Sequence, residues 1–188
     1  MDDLPIRCPL PRAAPRGFTA IELLVVIAIL GILAALAAPS FIGLTERWRV
    51  RDASEAMVST VYLARAEAMR RGGGIVVRKN PNRDGCSLAK TNADWGCGWF
   101  VFHDLNNNNR LDANEEVLRT YPGASGTDVT HTRGGEFFSV NRNGIVGSLN
   151  VRGFAISPNR TGISSPATRS VCVASGGRVR IIEEVSCQ

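Results

Sequence analysis

Three groups of residues in this chain carry side chains able to do chemistry. The first is Glu22, the one acid in the 22-residue stretch from Gly17 to Ala38, GFTAIELLVVIAILGILAALAA. An ionised carboxylate inside a bilayer costs roughly 2.5–3.5 kcal/mol on insertion scales, so an acid in such a run asks for a partner. The second group is DLNNNNRLDANE, where Asp104, Asn106, Asn108, Arg110 (through its carbonyl), Asp112 and Glu115 take positions 1, 3, 5, 7, 9 and 12 of an EF-hand-like calcium loop. Asn109 stands where that loop has its turning glycine, and asparagine tolerates a left-handed backbone better than most residues. The flanks read as strands, so the bland reading is a polar hairpin loop. The third group is SGGRVRI, residues 175 to 181. In a strand, Arg178 and Arg180 face one side about 6.6 Å apart, a spacing suited to successive phosphates of a DNA strand. Gly176 and Gly177 let the backbone approach closely; two arginines on a solvent face are the bland alternative. No nucleophile, base and orienting group form a set in the sequence, and no catalytic motif includes His103 or His131, so an enzyme is not expected.

These groups need elements to hold them. From Phe18 to Ala38 the run is 21 residues, the length of a membrane-spanning helix at ~1.5 Å per residue. Ahead of it, Arg7, Arg12 and Arg16 outnumber Asp2 and Asp3, and Pro5, Pro9, Pro11 and Pro15 exclude a helix. Residues 1–17 therefore read as a positively charged cytoplasmic leader. A secretory signal peptide is the competing reading, with Ala35-Leu36-Ala37 as an A-x-A-like cleavage site. The run is longer than such signals need, and they do not need Glu22. Beyond Pro39, Val50, Ala53, Met57, Val61, Ala64 and Ala68 recur at spacings of three and four with charged residues between them, an amphipathic helix ended by Arg70, Arg71 and the glycines 72–74. Residues 75–188 then alternate or run apolar between Gly, Asn, Pro and Ser turns. The expected strands are 75–79, 98–104, 116–121, 135–140, 153–158, 170–174 and 178–184. The expectation is an α+β chain: leader 1–17, transmembrane half-helix 18–38, amphipathic half-helix 39–74 kinked at Pro39, and an antiparallel β-rich head 75–188 of two small sheets.

The stretch GFTAIELLVVIAILGILAALAAPSF resembles the N-terminal methylation motif of type IV prepilins and type II secretion pseudopilins. That resemblance implies cleavage by a prepilin peptidase between Gly17 and Phe18, N-methylation of Phe18, and Glu22 as the fifth mature residue, with Pro39 at the family's proline position. In the membrane, Glu22 can be neutralised by the free amine of Phe18 on a neighbouring subunit, which favours assembly; snorkelling to the interface is the alternative. RAEAMRRG, GWFVFHDLNNNNRLDANEEVLR and FFSVNRNGIV resemble the GspH/FimT branch of minor pilins and pseudopilins. SGGRVRI is similar to the GRxR motif associated with DNA uptake in that branch, with Gly177, Arg178 and Arg180 in its fixed positions.

Removal of the leader takes Cys8 and leaves four of the five cysteines. Three pairings are possible; the sequence-local one joins Cys86 to Cys97 and Cys172 to Cys187, in an oxidising periplasm. The spacing lacks the C-x-x-C of a zinc site. Net charge is +5, and +4 once the leader's three arginines and two aspartates are gone; Lys79 and Lys90 are the only lysines. Seven arginines against four acids in residues 120–188 point towards phosphates, although a GC-rich genome also raises arginine. The expected partners are the inner membrane, prepilin peptidase, other pilin or pseudopilin subunits, and DNA or, in a secretion system, secreted proteins. No cofactor is expected beyond calcium in the 104–115 loop.

Overall fold

The computed structural model describes residues 17–83, 85–147, 152–174 and 176–187, excluding the side chains of 37–41 and 152. The leader apart from Gly17, Ser175, and the side chain of Pro39, where the kink is expected, lie outside the described residues. The elements are α1 (Ala20–Arg71), β1 (Ile75–Lys79), β2 (Trp99–His103), β3 (Val117–Tyr121), β4 (Thr127–His131), β5 (Phe137–Val140), β6 (Arg152–Pro158), β7 (Arg169–Val173) and β8 (Val179–Ile182). The chain divides into two compact units, Met1–Ser40 and Phe41–Gln188.

In the first unit, the helix begins with a capping box. The Glu22 amide donates to Thr19 Oγ1 at 3.3 Å, while Thr19 N and Oγ1 donate to Glu22 Oε2 at 3.1 and 3.2 Å. Two of the amide hydrogens that a helix start leaves without a partner are thereby satisfied reciprocally. From Phe18 to Leu36 the described side chains are exposed on every face of the helix, Phe18 at 88%. An all-round apolar surface of this kind calls for apolar surroundings or other chains. Among the described residues no helix is long and apolar enough to cross a membrane, and the described side chains of the apolar run stop at Leu36.

In the second unit, the part of α1 after Phe41 buries the expected stripe: Val50, Ala53, Met57, Val61, Ala64 and Ala68 are all fully enclosed. The helix stops because Gly72 takes a positive φ of 85° and the Gly73 amide reaches back to the Ala68 carbonyl at 2.8 Å, the six-to-one bond of a Schellman turn. Around that end Glu67 accepts from Arg70 (2.6 Å) and Arg71 (2.7 Å), and these guanidiniums hold its carboxyl at a pKa of about 2.

Two four-stranded antiparallel sheets complete the unit, in the orders β3-β2-β1-β5 and β4-β6-β7-β8. Their inner faces and the helix stripe share one core, which includes Val77, Val101 and Phe138 from the first sheet and Phe154, Ile156 and Val171 from the second. The seven strands expected from sequence are present with ends shifted by up to two residues. β4 is the addition. Thr127, Val129 and His131 face inwards, and two of those three are polar, so the period-two apolar signal that marks a strand is missing there.

One indole links both sheets. Trp95, fully buried in the β1–β2 connection, stacks on Phe138 of β5 (6.1 Å between centroids, 20°) and meets Phe154 of β6 edge-on (5.1 Å, 70°). Its Nε1 donates to the Gly135 carbonyl at 3.0 Å and its amide to the Val129 carbonyl at 2.7 Å. The same connection is tied down by the Cys86–Cys97 disulfide and by Lys79, whose Nζ donates to the carbonyls of Ala89 and Thr91. Burial pushes the Lys79 ammonium below its ordinary pKa.

Candidate nucleic-acid interface

The two arginines of the SGGRVRI stretch sit on the hairpin that joins β7 to β8. The Gly177 amide donates to the Ala174 carbonyl at 2.8 Å and the Ala174 amide to the Arg178 carbonyl at 2.9 Å, closing the turn around Gly177 at a φ of 80°. Beyond it the chain alternates: Val179 packs on the core, while Arg178 and Arg180 are exposed. Arg180 is paired in register with Cys172 of β7. β8 is the outer strand of its sheet, so the arginines stand at an edge. Among the described residues neither guanidinium takes part in an ion pair; the neighbouring Glu183 is engaged by Arg169 at 3.0 Å. Two cations on an open edge, without acid partners among the described residues, can donate to phosphate oxygens without first breaking a salt bridge.

Two contacts hold this hairpin. The Cys172–Cys187 disulfide brings the chain after β8 back across β6, where a Cβ on Gly153 would come within 2.7 Å of Cys187 Sγ, so only glycine leaves room for the bridge. The second contact is Arg65 of α1. Its Nη1 donates to the Gly177 carbonyl at 3.0 Å and its Nε to the Gly144 carbonyl at 2.9 Å. The φ of 80° favours glycine there, and a Cβ on Gly177 would lie 2.1 Å from Arg65 Nε, so any other residue would also push the guanidinium aside. Sequence reading treats Arg65 as one more charge on the outer side of an amphipathic helix; its contacts lie 79 and 112 residues away, beyond any local signal. The Thr19–Glu22 box, by contrast, is legible as T-x-x-E before an apolar run.

In the 104–115 loop, Asp104 is buried and accepts the amides of Asn108 (3.2 Å) and Asn109 (2.8 Å). Asp112 Oδ2 accepts both Asn106 Nδ2 and Asn108 Nδ2 at 2.8 Å, and Glu115 accepts the amides of Leu105 (2.8 Å) and Asp112 (2.9 Å). Asn109 does adopt the left-handed conformation, with φ 58°, and its carbonyl takes a bond from Arg78 at 2.7 Å, while the Arg110 amide donates to Asn108 Oδ1. The side chains of Asp104, Asn106, Asn108, Asp112 and Glu115 thus each accept at least one of the loop's own donors. Among the described residues no group of three or more His, Cys, Asp or Glu is arranged to hold a metal. A calcium titration followed by thermal unfolding tests the loop: a melting temperature that climbs at millimolar calcium establishes a metal site, and an unchanged one leaves a self-satisfied turn.

Residues 53–177 match the family described as Type II transport protein GspH, and residues 12–38 match the prokaryotic N-terminal methylation motif. A fimbrial protein of Pseudomonas aeruginosa is 45% identical over 69 residues, which are 36% of this chain and 44% of that protein. The pilin-like protein PilA1 of Thermus thermophilus is 32% identical over 108 residues, 57% of this chain and 60% of that protein. The chain thus matches less than two thirds of the length of either. Among solved structures, the type IV minor pilin FimU of P. aeruginosa superposes with a TM-score of 0.56 at 20% identity, covering 74% of this chain and 92% of that one, a likeness of fold.

Proposed function

The chain belongs to the Type II transport protein GspH family and carries its N-terminal methylation motif, and from that premise we propose that it is a minor type IV pilin whose head binds DNA for uptake through Gly177, Arg178 and Arg180. Prepilin peptidase cuts between Gly17 and Phe18 and methylates Phe18; the segment 18–38 anchors the subunit in the inner membrane with the head in the periplasm until it enters a filament. Glu22, one turn into the helix, then meets the amine of a neighbouring subunit's Phe18. Thr19 N and Oγ1 hold the Glu22 carboxylate at the start of its own helix, the position from which a neighbouring amine would have to take it over.

The observation that carries the DNA reading is the pair of exposed guanidiniums on a pinned edge hairpin with no acid partner among the described residues. Contacts confined to phosphates give weak, sequence-independent binding that falls steeply with salt, so uptake draws on several subunits or repeated engagement. Gel retardation of duplex DNA by the full chain in nonionic detergent tests it. The chain is expected to retard DNA at low salt, and the Arg178→Ala, Arg180→Ala double variant is not. Equal retardation by both would remove the assignment.

The family description favours a second reading, a pseudopilin of a type II secretion system whose partners are other pseudopilins and secreted proteins, with the arginines incidental. Deleting the gene separates the two: loss of transformation supports the first, loss of exoprotein release the second.

A further inference from the structure

Arg65 reaches two turns, and only one of them belongs to the GRxR hairpin. The other follows β5. There the Gly144 amide donates to the Asn141 carbonyl (2.9 Å), Asn141 Oδ1 accepts from Asn143 (2.9 Å) and Ile145 (3.1 Å), and Val146 bridges back to Val140. Gly144 is buried against Arg65 and Met69, and the Arg142 amide lies 3.2 Å from where a Cβ on Gly73 would be, so this turn is seated on the last turns of α1. Arg142 itself is exposed at the tip, with no acid partner among the described residues. The two turns come from different sheets, yet the carbonyls of Gly144 and Gly177 are held by the fork of a single guanidinium. Arg142 and Arg178 therefore stand beside carbonyls whose separation Arg65 sets.

We propose that Arg65 is a positioning residue that joins these turns into one phosphate-binding face, and that Arg142 is a third phosphate contact beside Arg178 and Arg180. The inference rests on the DNA-binding reading above. A planar guanidinium whose Nε–H and one Nη1–H are committed to main-chain carbonyls acts as a structural link, while the exposed arginines on either side keep their donors for the ligand. A phosphate backbone lying across both turns would meet cations from both sheets at once.

Salt dependence counts the contacts, because the logarithm of the affinity falls with the logarithm of salt at about −0.9 per neutralised phosphate of duplex DNA. With three contacts, affinity should drop about 40-fold between 50 and 200 mM salt; with two, about 12-fold. The full chain in nonionic detergent is expected to show the steeper dependence and Arg142→Ala the shallower one. Arg65→Met, which keeps an unbranched apolar stem and removes the donors, should weaken DNA binding although Arg142, Arg178 and Arg180 are all still present. Without DNA, the same variant should speed hydrogen exchange in residues 141–147 and 176–179 together, and leave β1 and β2 unchanged. Binding that is abolished by the Arg178, Arg180 double variant but has the same salt slope with and without Arg142 would overturn the third contact. Exchange that rises in one turn only, or in neither, would overturn the role of Arg65. Should Arg65→Met fail to fold, Arg142→Ala, a change at an exposed tip, still decides the third contact. A parent chain that binds no DNA, with both turns loosened together by Arg65→Met, instead removes the DNA reading and keeps the link between the turns.

Discussion

Trp95→Ala is expected to cost about 3–5 kcal/mol of folding stability, the range for truncating a large aromatic in a core that cannot collapse around the gap. The indole is fully buried and touches an aromatic from each sheet, Phe138 and Phe154, so its loss opens a cavity between layers that the helix stripe cannot fill. The Gly135 carbonyl also loses its donor. A domain of this size has about 5–15 kcal/mol in hand, so the variant should unfold at a much lower urea midpoint. Equilibrium unfolding measures it. A loss under about 1.5 kcal/mol, the cost of a volume-conserving swap, would mean that the sheets are held together elsewhere.

Replacing both Cys172 and Cys187 with serine is expected to lower stability by about 3 kcal/mol, the loop-closure value for a bridge spanning 15 residues. The functional effect should exceed the share of the fold involved. Among the described residues β8 is hydrogen-bonded on one side only, to β7, and the residues after it are held across β6 by this bridge. Without it the edge strand frays first, and the geometry of Arg178 and Arg180 with it. DNA retardation should therefore weaken in the double serine variant, whereas removal of Cys86–Cys97, on the β1–β2 connection, should lower stability and leave retardation unchanged at a temperature where both variants are folded. Equal effects of the two bridges on DNA binding would show that the second does not organise the arginines.

Much of the fold is legible because helix and strand periodicities are local. Every residue of the stripe Val50, Ala53, Met57, Val61, Ala64, Ala68 is buried as its spacing requires, since a 3.6-residue period places them on one side of a helix whatever they pack against. β4 escaped because its inward positions include Thr127 and His131, whose polarity hides the alternation. Glu22 was legible as an acid needing a partner, and the T-x-x-E pattern beside it could also have been read; its first partner is Thr19 of its own helix.

What the sequence determined by itself is therefore what depends on a few neighbouring residues: the methylation motif with Gly17, Phe18 and Glu22, the buried face of the helix, most of the strands, and two arginines spaced to share one side of a strand. Tertiary structure alone decided that the sheets meet on Trp95, that Arg65 passes beside Gly177, and that the turns bearing Arg142 and Arg178 are tied to one guanidinium. The reason is physical. Periodicity and capping are set within a turn or two of chain, whereas the partner of a long polar side chain is whichever carbonyl the packing of distant elements brings within 3 Å, here 79 and 112 residues away.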